Sequence, residues 1–142
     1  MAELSLSRSK RIINATFAKG KALGLEPLSV VVLDSGGHVK AFERQDGAPP
    51  GRFAIAQAKA YGSIMLGSSG SAQLIRAESQ PYFAITANAA LDGKLLPVPG
   101  GILIQNERGQ TLGAIGVTGD TSLNDLAAGV AGIEAVGLVA NG

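Results

Sequence analysis

The spacing of apolar and polar positions divides the chain into alternating helical and extended segments. Over Ser7–Leu23 the apolar residues Leu6, Ile13, Phe17 and Ala22 recur near one face at helical spacing, with Ser5 or Ser7 as cap and Gly24 as stop. Ser29–Leu33 is a β-branched run, and Asp34-Ser35-Gly36-Gly37 supplies a tight turn. His38–Phe42 then alternates polar and apolar residues as a half-buried strand does. Gly47–Gly51, with two prolines, breaks the pattern.

Phe53–Leu66 predicts a second helix, apolar nearly all round, which belongs at a centre packed on more than one side. Gly67–Ser71 reads as a flexible joint, and Pro81 divides Ala72–Leu91 into two short helical pieces. Leu96–Gln105 and Thr111–Thr118 predict two more strands around an Asn106–Gly109 turn. Thr121–Val139 predicts a last helix, capped by Thr121 or Ser122, whose alanines and glycines let it lie close to a sheet. The order predicts an α+β layer fold, an antiparallel sheet covered by helices, in a single domain over residues 1–142.

Composition sharpens this picture. Apolar residues make up 46% of the 142, charged residues only 16%, and there are 20 glycines. Much of the chain must be buried, in its own core or against copies of itself, and a chain of this length hides roughly 70% of its unfolded surface. A net charge of +1 gives no argument for nucleic acid. The cations Arg8, Lys10, Arg11, Lys19 and Lys21 read either as a solvated helix face or as a surface for nucleic acid or acidic lipid, and the lack of interleaved aromatics favours the first. With no cysteine and one histidine, thiolate chemistry, disulfides and a multi-histidine metal site are excluded, so no metal is expected. The N-terminal stretch has no apolar secretory core, and no uninterrupted apolar run reaches the ~18 residues of a membrane span. A soluble cytoplasmic protein is the expectation.

Candidate chemistry centres on a few positions. Lys59 lies within an alanine-rich helix, where an unpaired ammonium is costly. It must snorkel, pair with a carboxylate such as Asp46, or meet an anionic ligand or carbonyl substrate as an acid, base or imine-forming amine. Arg44 and Asp46 end a strand on a glycine-proline loop, where a guanidinium suits a carboxylate ligand and an ion pair would equally lock the loop. Gly100-Gly101 and Gly116–Gly119, with Thr118, offer exposed backbone N–H groups beside a helix start, or else tight sheet packing. His38 could ligate haem or act as a base, but it has no obvious carboxylate to orient it.

The segments "VVVLDSGGHVKAFERQDGA", "IAQAKAYGS", "LPVPGGILI" and "LGAIGVTG…DLAAGVAGIEA", in this order over nearly the whole chain, resemble the GlcG/HbpS-like family, which includes the C-terminal domain of PduO-type corrinoid adenosyltransferases. The resemblance implies a profilin-like three-layer α/β/α sandwich and a homo-oligomer. It implies haem- or cobalamin-related binding and a setting in catabolic operons. The recurrent positions of that family fall on Asp34, Arg44, Asp46, Gly47, Lys59, Gly100, Gly101, Gly116, Thr118, Gly119 and Asp125. Tyr61-Gly62-Ser63 and Leu126 depart from the pattern, and Thr118 stands where serine is common.

Three functions follow as expectations. The first is a small-ligand-binding or sensing protein, with haem or a related tetrapyrrole as one candidate ligand and His38 as a candidate axial group that lacks an evident partner. The second is an accessory catabolic enzyme acting on a small carboxylate or carbonyl compound held by Arg44, Lys59 and the Gly100-Gly101 backbone; Asp46, Thr118 and Gly119 complete the candidate ligand-binding residues. The third is an oligomeric scaffold without a small ligand.

Overall fold

The structure is a computed structural model that describes residues 3–142. Helix α1 (Leu6–Ala22) is followed by β1 (Ser29–Asp34) and β2 (Val39–Arg44). Then come α2 (Arg52–Leu66), α3 (Gly70–Ser79) and α4 (Pro81–Ala90). Strands β3 (Gly101–Gln105) and β4 (Thr111–Thr118), helix α5 (Ser122–Glu134) and strand β5 (Val139–Asn141) complete the chain. The sheet order is β2-β1-β4-β3-β5, and every pairing is antiparallel.

Side chains alternate across each strand, so the sheet has two buried faces. Val30, Val32, Ile102, Ile104, Ile115 and Val117 pack with Ile12, Ile13, Ala128 and Ile133 of α1 and α5. Val31, Leu33, Leu103 and Ala114 pack with Ala56 and Ala60 of α2. The result is the expected α+β arrangement: a central antiparallel sheet between helical layers.

The two layers approach the sheet differently. Toward α1 and α5 the strands present branched side chains. Toward α2, Gly101 and Gly116 leave a bare patch beside Val31, Leu33 and Leu103, and there the helix backbone lies directly on the strands. A Cβ on Gly116 would collide with the carbonyl of Ala56, and one on Gly101 with the carbonyl of Lys59. Two glycines on neighbouring strands, paired with each other, therefore form the seat of α2. Ala56 and Ala60 of α2 face the sheet there, while Gly62 packs on Leu95, so this helix, apolar nearly all round, is packed on more than one side.

Several expectations change at element ends. Ser5 caps α1, accepting from the Arg8 N–H at 3.1 Å, but the buried face is Ser9, Ile12, Ile13, Thr16 and Gly20, and Leu6 is exposed. The predicted joint at Gly67–Ser71 is a capped corner: Gly67 closes α2 in the left-handed region (φ 65°), and the Ser69 side chain accepts from the Ala72 N–H. Strand β3 begins at Gly101 rather than Leu96, because Pro97 and Pro99 have no N–H to give a ladder. The last helix stops at Glu134, not Val139. Gly137 (φ 77°) turns the chain out, the Leu138 N–H returns to the Ile133 carbonyl, and Val139–Asn141 becomes an edge strand beside β3.

Gly116→Ala is expected to destabilise the fold by about 3 kcal/mol, since the helix backbone must be lifted from the sheet. Urea unfolding measures this; a loss within 0.5 kcal/mol, roughly that of an ordinary surface change, would show that α2 is not seated there.

Candidate functional site

The sequence-predicted residues divide into three places. Lys59 is 3% exposed and sits on the α2 side of the sheet. Its Nζ donates to the Val117 carbonyl at 2.8 Å and to Asp125 Oδ2 at 3.1 Å. Asp125, 1% exposed, belongs to α5 on the opposite side. The lysine thus passes the end of β4 and joins the two helical layers. Gly100 (φ 112°) makes the passage possible, because a Cβ there would lie 2.8 Å from Nζ. The partner is Asp125 and not the expected Asp46, which is exposed on its loop. Local spacing had no means of pairing residues 66 positions apart.

Burial draws the Lys59 amine below its ordinary range, with Asp125 opposing and Arg52 adding a little. Burial likewise raises the Asp125 carboxyl, against the Lys59 charge and the Asp120 N–H. We assign the ionic pair: Asp125 Oδ1 accepts from the Asp120 N–H at 2.9 Å, so both carboxylate oxygens have donors. Such an enclosed amine does not meet a carbonyl substrate without movement of α2 or the Gly100 segment.

Gly101, Thr118 and Gly119 belong to the same packed interior. Thr118 Oγ1 accepts from Arg52 Nη1 at 2.7 Å, a partner not foreseen from sequence. A Cβ on Gly119 (φ 144°) would strike the Pro27 carbonyl. These glycines are closed over by neighbouring chain.

Arg44 and Asp46 line an open hollow of about 540 Å³ with Phe17, Lys21, Glu26 and Glu43. Arg44 and Lys59 therefore do not converge on one cavity: the guanidinium is exposed and the amine enclosed. Two cations against three acids leave this hollow with an excess negative charge, a poor match for an anionic ligand. None of its lining residues is a His, Cys, Met or Tyr, the side chains that bind haem iron.

His38 lies elsewhere, at the β1–β2 turn. Its side chain is 79% exposed. Contrary to expectation it has an orienting carboxylate: Nδ1 stands 3.2 Å from Asp34 Oδ1. That same oxygen accepts from the Gly36 and His38 N–H groups at 2.9 and 3.0 Å. Slight burial works to raise the Asp34 carboxyl, but the hydrogen bonds from His38 and Gly36 outweigh it and hold it below 3.8. An ionised carboxylate only accepts, so in the neutral imidazole this contact puts the proton on Nδ1 and the lone pair on Nε2. Gly37 (φ 86°) brings the turn onto α2, where a Cβ would lie 2.7 Å from Met65 Cε and 3.1 Å from Tyr61 Cε1. Lys94 Nζ stands 5.2 Å above the Tyr61 ring. The Asp-x-x-x-His spacing across a tight turn was the available signal for this pair. The approach of Tyr61 and Met65 had none.

Among the described residues there is no helix long and apolar enough to cross a membrane, and no cluster of three acids or histidines suited to a metal ion.

The fold is one that known proteins share. Residues 4–134 match the family described as haem degrading protein HbpS-like, and the chain belongs to that family. The PduOC–haem complex superposes with a TM-score of 0.85 at 20% identity, covering 96% of this chain and 97% of that one. A double mutant of HbpS from Streptomyces reticuli gives 0.80 at 23%, covering 95% and 88%. Protein ORFY of Klebsiella pneumoniae gives 0.82 at 20%, covering 96% and 93%. These likenesses establish the fold. No curated protein sequence matches the chain.

Two outcomes follow from the geometry. Asp125→Ala leaves the Lys59 charge buried and unpaired, and should cost about 3–5 kcal/mol in urea unfolding, whereas Lys59→Met with Asp125→Leu should recover most of it. A single-variant loss under about 1 kcal/mol would show that the pair is not the clasp described. The acid limb has a defined sign. Hydrogen bonds from the Asn124 side chain and from the Glu26 and Thr121 N–H groups hold the Asp120 carboxyl below 3.8. Asp34 is held below the same value. The unfolded chain binds these protons first, so the stabilisation is present above 3.8 and is lost as pH falls through the folded values. Asp120→Asn should make the acid limb of a stability–pH curve shallower; superimposable limbs would contradict this.

Proposed function

We propose that the protein binds a haem-type tetrapyrrole, with Nε2 of His38 as the axial ligand to iron. The observation that carries the reading is the Asp34–His38 pair. It presents an exposed imidazole, oriented by a carboxylate in the way metal-ligating histidines commonly are. The donor set suits the group: imidazole nitrogen ligates haem iron, and Met65 and Tyr61 beside the turn offer an apolar body against which a porphyrin edge packs. Lys94 supplies a cation for a propionate. Membership of the HbpS-like family and likeness to a protein solved with haem support the same reading. A bound iron porphyrin would supply the redox chemistry; this chain supplies an oriented ligand, a charge partner and a partly dry surface. Self-association is part of the proposal, because Ile75, Tyr82 and Ile85 on α3 and α4 are exposed and α4 buries none of its residues.

Haem titration followed at the Soret band tests the site. Wild-type protein should shift the band to saturation, His38→Ala should abolish the shift, and Asp34→Ala should weaken binding about tenfold or more. No shift in excess haem, or an unchanged titration in His38→Ala, would overturn the proposal.

A further inference from the structure

A second cavity, of about 270 Å³, opens between α3, α4 and the Leu95–Pro97 segment. Leu66, Leu95 and Pro97 line it from the body of the domain, Ala77 from α3, and Phe83 and Ala84 from α4. The two helices beside it are held very differently.

The start of α3 is seated. Ser69 caps it, a Cβ on Gly70 would collide with the Val98 carbonyl, and Gln73 is only 5% exposed. Gln73 Nε2 donates to the Ser68 carbonyl at 2.9 Å, and Oε1 lies enclosed without a donor.

Helix α4 has no such anchorage. It buries none of its residues, carries no charge and has no side-chain cap at its N-terminus. Tyr82, Phe83, Ile85, Thr86 and Asn88 fill half of its ten positions with modest helix formers. Thr86 Oγ1 turns back onto the Tyr82 carbonyl at 2.8 Å, a bond that slightly weakens a helix. At this length a helix does not hold without packing. The Arg76 guanidinium carbon stands 3.4 Å from the centroid of the Phe83 ring. Among the described residues, one hydrogen bond ties an α4 side chain to the body: Asn88 Nδ2 donates to the Leu95 carbonyl at 2.8 Å. Leu95 is 5% exposed and packs against Gly62 of α2, so the acceptor is fixed.

Both ends of α4 leave helical geometry. Gln80 before it has φ −136° and ψ 66°. After it, Asp92 has φ 55° and Gly93 has φ 75°, a region that glycine enters freely. Rotation at these two points displaces α4 and leaves the seat of α3 in place.

We propose that α4 is a lid on this cavity, latched by Asn88 and hinged at Gln80 and at Asp92-Gly93. It detaches while α2, α3 and the sheet stay folded, and Leu66, Leu95 and Pro97 then face solvent or a small apolar guest. Elements of low local stability are the ones that serve as lids. The proposal does not rest on haem or on His38.

Hydrogen exchange of the full chain, read by mass spectrometry at micromolar protein, separates a lid from a domain that opens only as a whole. The hydrogen-bonded amides of α4 should exchange about a hundredfold or more faster than those of β1 and β4, with little dependence on urea below the unfolding transition. Asn88→Ala should speed exchange in α4 by about fivefold, the factor one hydrogen bond makes. Val32 is fully buried in a strand that the open form keeps. Val32→Ala should therefore speed exchange in β1 and β4 by about thirtyfold and leave α4 unchanged. Leu95→Cys gives the chain its only thiol. Its reaction with an aromatic disulfide reagent should quicken by about fivefold when Asn88→Ala is added. Exchange of α4 at the rate of β4, an α4 rate raised equally by Val32→Ala, or a thiol rate untouched by Asn88→Ala would each overturn the proposal.

Discussion

Contact between the backbone of α2 and the bare strands at Gly101 and Gly116 is the constraint from which the rest of the molecule follows. It brings the helix so near the sheet that Lys59 reaches the carbonyl of Val117 at the end of β4 and the carboxylate of α5 beyond. A helix standing off by one side-chain layer would leave that amine short of its partner. The ionic clasp is thus a product of small-residue packing. It is also tolerable only because of it: every polar atom of the pair has a partner in a place where water does not reach.

Much of this arrangement was legible in the chain. A β-branched run located β1, alternation located β2 and helical apolar spacing located α1, while α2 stood out as apolar nearly all round because it packs on more than one side. Pro81 divided α3 from α4 as expected, standing at the first position of the second helix. The failures share a cause. The segment after Glu134 remains apolar and small enough to continue a helix, and only the left-handed turn at Gly137 and pairing with distant β3 make it a strand. The start of β3 was read too early because apolar content outweighed two missing N–H groups at Pro97 and Pro99.

The chemistry divides similarly. Arg44 and Asp46 were placed together correctly at a strand end, beside a hollow. Lys59 stood out for a sound reason, the cost of a buried charge, but its answer lay in another layer. His38 shows no obvious carboxylate partner in the sequence, yet Asp34, four positions earlier, folds back across the turn to meet it. Gln73 and Arg76 drew no attention at all: on a polar-looking helix neither an unmatched amide oxygen nor a cation stacked on Phe83 leaves a trace in spacing.

The small-residue face of β4 also polices its own alignment. Ala114, Gly116 and Thr118 look toward α2, while Ile115 and Val117 look away. Were the strand to slip by a single position against its neighbours, the branched pair would be thrust into the helix backbone, where not even one methyl fits. A misaligned sheet therefore cannot close against α2, and errors of strand pairing are excluded sterically, without help from any charge pair.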